Sequence, residues 1–248
     1  MIMNKTRLLA LVIALLVFAV GPACANQFTE ELVEPCLRSD SAFPKPAVSG
    51  PYDYRSPANR SNVRMVEANH FTPPIENLIR GRTGTLAGEF SFVLHGFPNH
   101  HRALASLSRY GLRENAAQPG NLDYTVDCYF QRALRFRPDD LIVRMLFADY
   151  LNKIKRNDDA KLQLDYVRGA AADNPLTQYN VGLLYFQIGR YKEALAQAHL
   201  AMSMGMPRTD LKEKLQAKNL WIEPVIPQGG PASAAPAASE AAASAPAS

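Results

Sequence analysis

Three of the five histidines in the 248-residue chain stand within seven positions, at His95, His100 and His101. Imidazoles this close together raise two kinds of chemistry, metal coordination and proton transfer. A catalytic zinc site needs three protein ligands converging on one point, commonly two histidines one helical turn apart with a glutamate nearby as base. His100 and His101 are adjacent, so on a helix their side chains point about a hundred degrees apart and do not share a face. One of them could still join His95 and His70 if the chain brought those positions together, with Glu67 or Glu76 completing the shell. The other reading is structural: Pro98-Asn99 starts a helix, Asn99 caps it, one histidine packs inward and the other faces water. No ligand spacing favours metal, so the structural reading is adopted, and neither a metal nor another cofactor is expected. No nucleophile elbow, phosphate-binding loop or paired-carboxylate pattern points to an enzyme either.

The cysteines bear on compartment. Lys5 and Arg7 precede an uninterrupted apolar run from Leu8 to Val20, the length of a signal-peptide core and too short for a comfortable membrane span. Ala23-Cys24-Ala25 then satisfies the small-x-small rule for cleavage before Asn26, which makes residues 1–25 a signal peptide and the product periplasmic or secreted. Anchoring as a lipoprotein at Cys24 is the rival reading, although Gly21 stands where such signals carry a Leu-like residue. Cleavage after Ala25 leaves Cys36 and Cys128, an even number in an oxidising compartment. They either form one disulfide, which would stabilise the fold by about 3 to 5 kcal/mol, or remain two buried thiols. Neither belongs to Cys-x-x-Cys or precedes a haem-attachment histidine.

Without the leader the chain carries 25 basic and 23 acidic residues, with no clustered basic stripe, so nucleic-acid binding has little electrostatic support. At the other end, residues 223–248 pass into Ala, Ser and Pro with no large apolar side chain after residue 230. Such a segment cannot bury enough surface to offset its ordering entropy, and a disordered tail is expected.

The elements that would hold any site lie between. Helical periodicity persists over residues 98–222, broken at Pro138, Asn174-Pro175 and Pro207, and recurring breaks in the mid-thirties suit a two-helix repeat. Helices are expected over 99–112, 124–137, 141–172 with a polar turn at 155–159, and 174–201 with a turn at Gly189. A last one from Asp210 to about Asn219, capped by Thr209, would cover the end of the array. Gly182, Ala194 and Ala201 have little or no side chain, so their two helices can approach closely.

Val181-Gly182, Tyr185, Gly189, Tyr191, Ala194, Ala198 and Ala201 resemble a tetratricopeptide repeat. Phe147-Ala148, Leu151 and Ala160 fit the same pattern more loosely, as do Phe130 and Ala133-Leu134. The polar connection 113–120 departs from it. The resemblance implies a mainly α, TPR-like solenoid of about three helical hairpins plus a capping helix; a plain helical bundle is the alternative. It also implies a non-enzymatic adaptor that holds a protein or peptide of the cell envelope in a groove lined by the first helix of each hairpin. Helix spacing assigns that lining to Met145, Asp149 and Asn152 in one repeat and Tyr179, Leu183 and Phe186 in the next, with Asn180, Arg144 and Lys153 supplying polar contacts. Inter-repeat packing is the competing role for each. A metal-binding protein or metal-dependent enzyme using His70, His95, His100 and His101 is the second reading of function.

Residues 26–97 look less regular. Phe90, Phe92 and Leu94 alternate with Ser91 and Val93, and residues 63–70 share this strand character. A small β-hairpin interrupted by a short helix from Pro73-Pro74 to Ile79 is expected, packed on the first helices because a lone two-stranded ribbon is marginal in water.

Overall fold

The computed structural model describes residues 36, 50–82 and 84–224. The expected signal peptide, residues 1–25, and residues 225–248 of the expected tail lie outside the described residues. Among the described residues from 50 onward, a short 3-10 turn at Pro57–Asn59 is followed by ten α-helices: α1 Arg60–His70, α2 Pro73–Glu76, α3 Leu86–Gly96, α4 His101–Glu114, α5 Val126–Phe136, α6 Leu141–Lys153, α7 Asn157–Ala170, α8 Pro175–Gln187, α9 Tyr191–Ser203 and α10 Asp210–Ala217.

The amino-terminal expectation is corrected here. No strand occurs among the described residues, and segments 63–70 and 89–95 lie in α1 and α3. The alternation of Phe90, Phe92 and Leu94 is real but incomplete. Phe90, Val93, Leu94 and Phe97 recur at i, i+3, i+4 and i+7, and these four are fully buried while Phe92 is not. Thr85 caps α3 by accepting the Gly88 N–H. The helix after Pro73-Pro74 is a single turn ending at Glu76, because Leu78 takes a left-handed conformation at φ 60°. As expected, this region packs on the helices that follow: α1 against α3, α3 against α4, and α2 against α4.

From α6 to α9 the helices keep a period of 34 residues, and the buried positions of α5 share it. Asp140 caps α6 and Asn174 caps α8, 34 positions apart, each accepting the N–H three residues on. α7 and α9 begin at Asn157 and Tyr191, again 34 apart. Ala160, Leu164 and Val167 of α7 are buried, as are Ala194, Ala198 and Ala201 at the matching positions of α9 and Val126, Phe130 and Ala133 of α5. Phe147, Ala148 and Leu151 of α6 match Val181, Gly182 and Tyr185 of α8, all buried.

The turns repeat as well. α6, α8 and α9 each end in a left-handed residue, Lys155 at φ 69°, Gly189 at φ 77° and Gly205 at φ 82°. The next N–H then reaches back to the helix, Arg156 to Leu151 O, Arg190 to Tyr185 O and Met206 to Ala201 O. This is the Schellman arrangement, which satisfies carbonyls left over at a helix end.

α8 and α9 pack most closely of all, and Gly182 shows why. A Cβ at that position would lie 2.9 Å from Gln197 Cβ and 2.6 Å from Leu211 Cδ2. Alternate helices also touch, α4 with α6 and α6 with α8. α10 closes the array by burying Leu211 and Leu215 against α8 and α9. Thr209 stands before α10 but makes no cap bond; its hydroxyl donates to Glu213 instead.

Cys36 and Cys128 form a disulfide, with both residues buried and Cys128 in the first turn of α5. In the chain-entropy picture a loop this long stabilises the fold by about 4 to 5 kcal/mol. Such a bond fits an extracellular or periplasmic location. No helix of the described residues is long and apolar enough to cross a membrane.

Candidate functional site

The histidines separate rather than converge. His70 Nδ1 lies 2.9 Å from Glu89 Oε2, a carboxylate only 3% exposed that also accepts the Arg82 N–H. His95 Nδ1 donates to the Ser91 carbonyl one turn back at 2.6 Å, with Asp123 at 3.5 Å. His100 faces Glu67 and His101 faces Asp140. These four rings therefore have different partners: His70, His100 and His101 each face their own carboxylate, and His95 bonds a backbone carbonyl. Among the described residues, no group of three or more His, Cys, Asp or Glu is placed to hold a metal ion.

What Asn99, His100 and His101 do build is the junction between α3 and α4. The cap of α4 is His100, one residue later than expected: its Nδ1 accepts the Ala103 N–H at 3.1 Å. An accepting Nδ1 carries no proton, so the proton of the neutral ring sits on Nε2, which lies 3.2 Å from Glu67 Oε1. The ring is fully buried, stacked on Tyr54 at 4.2 Å and edge-on to Phe71 at 5.0 Å. Burial disfavours its charged form and pulls its pKa below the ordinary 6.5, although Glu67 pulls the other way. Hydrogen bonding to His100 is the main influence holding the Glu67 carboxyl below its ordinary range. Arg102 then ties Glu67 on α1 to Glu76 at the end of α2, through Nη1 at 3.2 Å and Nε at 2.9 Å.

Asn99, displaced from the cap, serves tertiary structure. It is buried, its Oδ1 accepts the Tyr54 N–H, and its amide donates to Asp53 and Asp140 at 2.7 and 2.9 Å. Asp140 is 1% exposed, caps α6 and accepts from His101 Nε2 at 2.9 Å, so His101 faces a carboxylate and not only water. Burial alone would raise the Asp140 carboxyl, but the bonds from His101 and Asn99 outweigh it and the pKa is lowered. Asp53 likewise resists burial through hydrogen bonds from Arg55 and Asn99, and titrates at about 2. An Asp directly before the apolar run of α6 was the sequence signal for the Asp140 cap. Nothing local marks Asp53 or Tyr54, which reach the junction across more than forty residues.

The residues assigned to a groove lie on the first helix of each 34-residue unit. Met145, Asp149 and Asn152 of α6 are half-buried, as are Asn180, Leu183 and Phe186 of α8. Asp149 holds Lys153 at 2.6 Å, and the Phe186 ring meets Tyr191 at 5.3 Å. Two of the assigned residues need correction. Tyr179 is only 2% exposed, with Arg208 over its ring at 4.9 Å, so it packs the α8 end of the array. Arg144 turns towards α7, its guanidinium 3.7 Å from the Tyr166 ring centre and bonded to Gln163 and the Pro138 carbonyl. Tyr179 was placed by helix spacing and Arg144 by its polar group, and neither fixes how far the next helix overlaps the face.

Comparison with protein families, with curated proteins and with solved structures finds no match for the chain.

Proposed function

We propose that the chain is an exported, non-catalytic adaptor that binds a protein or peptide of the cell envelope on the face shared by α6 and α8. The observation that carries this reading is the 34-residue register. Two helix pairs with matched caps, matched Schellman turns and matched buried positions present the same half-exposed face twice. That period, and the small residues Ala160, Gly182, Ala194 and Ala201 at the close contacts, resemble tetratricopeptide repeats, whose stacks bind peptides in this way. The contact of α4 with α6 and of α6 with α8 supports an array in which first helices line one side. The disulfide supports export, with residues 1–25 as the cleaved signal.

Met145, Leu183 and Phe186 supply apolar contact, and Asp149, Asn152 and Asn180 supply hydrogen bonding. Tyr179 and Arg144 act from behind, by holding α8 and α6 in place. The test is capture from envelope extract with the full chain immobilised, comparing Leu183→Glu and Phe186→Ala with Ala196→Glu on the exposed side of α9. A partner retained by the parent chain and by Ala196→Glu, and lost by both groove variants while their circular dichroism is unchanged, is the expected outcome. Equal retention by all four chains would refute the groove. Amino-terminal sequencing of the exported product should begin at Asn26.

A further inference from the structure

We infer that His100 is an acid-sensitive latch: a second proton on its ring unfastens the first turn of α4 and frees the segment 50–71 that rests on it. The reason is geometric. His100 caps α4 with a ring nitrogen, and Nδ1 can accept the Ala103 N–H only while it carries no proton. Protonation puts an N–H against an N–H at 3.1 Å and places a positive charge at a helix amino terminus, where the macrodipole opposes it. A serine, threonine, aspartate or asparagine cap has no such limit, and Thr85, Thr125, Asp140 and Asn174 cap α3, α5, α6 and α8 in that ordinary way.

The ring cannot simply accept the charge in place. It is fully buried and enclosed by aromatic groups from each neighbouring element, Tyr54 from the segment before α1, Phe71 at the end of α1 and Phe97 at the end of α3. The charged groups that face it are Glu67 from α1, with His101 and Arg102 from α4 itself, and Glu76 at the end of α2 reaches it only through Arg102. Glu67 favours the added proton, but Arg102 already holds that carboxylate, and Arg102 and His101 oppose a further positive charge. Relief comes when the ring leaves, and what it then abandons is its stack with Tyr54 and its contact with Phe71.

The carboxylates of the junction do not compete for the proton. Glu67, Glu76, Asp53 and Asp140 are all held below their ordinary values, so they stay charged across mildly acidic pH. The bond of His101 makes no such demand: its Nε2 donates to Asp140 at 2.9 Å and needs no bare ring nitrogen. Neighbouring histidines thus give one residue that loosens the junction in acid and one that does not.

Amide hydrogen exchange of the full chain at about pH 7.5 and about pH 5.5, corrected for intrinsic rates, tests the latch. For a histidine kept neutral in the fold and free to charge when released, protection of 50–71 and of the first turn of α4 should fall by up to about tenfold per pH unit below 6.5. Protection of α8 and α9 should stay level. His100→Asn, a cap that does not titrate, should remove the pH dependence, and His101→Asn should keep it. Equal protection of 50–71 at both pH values, or an unchanged slope in His100→Asn, overturns the latch. Should His100→Asn fail to fold, ring nitrogen shifts of the parent chain decide the matter. A neutral ring protonated on Nε2 at pH 6.5, charging in step with the loss of protection, supports the latch, and a ring already charged at pH 6.5 refutes it.

Discussion

Replacing Gly182 by alanine puts the close contact of α8 with α9 to a quantitative test. In an exposed helix interior the change would stabilise the fold by about 1 kcal/mol, since alanine loses less backbone freedom on folding. Here the new methyl would lie 2.6 Å from Leu211 Cδ2 and 2.9 Å from Gln197 Cβ. The Leu211 contact is with the end of a side chain and can yield by an off-rotamer turn costing about 0.5 to 1.5 kcal/mol. The Gln197 contact is with an atom fixed to the α9 backbone, so α8 and α9 must part by a few tenths of an ångström, an overpacking cost of about 1 to 3 kcal/mol. The balance is a net loss of about 1 to 3 kcal/mol, which in a chain of this size lowers Tm by roughly 2 to 4 °C per kcal/mol. Gly169→Ala is the internal control: it also lies in a helix, and a Cβ there meets nothing within 4 Å. It should stabilise by about 0.5 to 1 kcal/mol. Urea unfolding followed by far-UV circular dichroism reads both, with midpoints moving in opposite directions at constant m. Gly182→Ala as stable as the parent, or more so, would refute the close approach of α8 and α9 and with it the role given to small residues at 182, 194 and 201.

Two further predictions concern the disulfide and the Asp140 junction. Replacing Cys128 by serine, or reducing the chain, should cost about 3 to 5 kcal/mol of unfolding free energy, read as a lower urea midpoint under reducing conditions, and a midpoint indifferent to reductant would exclude a structural bond to Cys36. Asp140→Ala should destabilise by about 2 to 4 kcal/mol, because it removes the α6 cap and leaves Asn99 and His101 without their buried acceptor. The sign of its pH dependence follows from the lowered pKa: the Asp140 contribution is complete above the unfolded value of 3.8 and is lost as pH falls through the folded one. Urea midpoints between about pH 5 and pH 2.5 should therefore fall less steeply in Asp140→Asn than in the parent chain, and an equal slope would contradict the assignment.

The helices from residue 101 onward were legible because each carries its own periodic apolar face and its own punctuation. Gly189, with its left-handed turn, and the small residues 182, 194 and 201 could be placed without any knowledge of their neighbours. The region before residue 98 was not legible in the same way. A run as short as 89–95 satisfies period 2 through Phe90, Phe92 and Leu94 and period 3.6 through Phe90, Val93, Leu94 and Phe97, and only the burial of Val93 and Phe97 separates the two. The junction around Asn99 was hidden for another reason. Asp53, Asn99 and Asp140 lie 46 and 41 residues apart in hydrogen-bonded pairs, and no local spacing announces such a network. Once Asn99 is taken by Asp53, Tyr54 and Asp140, it cannot also cap α4, and the cap passes to His100.

The repeat was visible in the sequence only as a blurred interval, and the structure shows where the blur comes from. Pro138 stands two residues before the Asp140 cap, Pro175 is the first residue of its helix, and Pro207 stands two before Thr209. Proline is tolerated at several places around a helix start because each leaves an amide that needs no helical partner, so proline spacing drifts while the helices do not. The positions that cannot drift are those that fix backbone geometry. The cap oxygens of Asp140 and Asn174 must meet the N–H three residues on, and the left-handed residues Lys155 and Gly189 must end their helices at the same point, and both pairs are 34 apart. Lysine at 155 adopts a conformation that glycine takes without cost, which disfavours it by about 1 kcal/mol and disguises the turn. In this chain the geometric obligations of caps and turns preserve the period more faithfully than residue identity does.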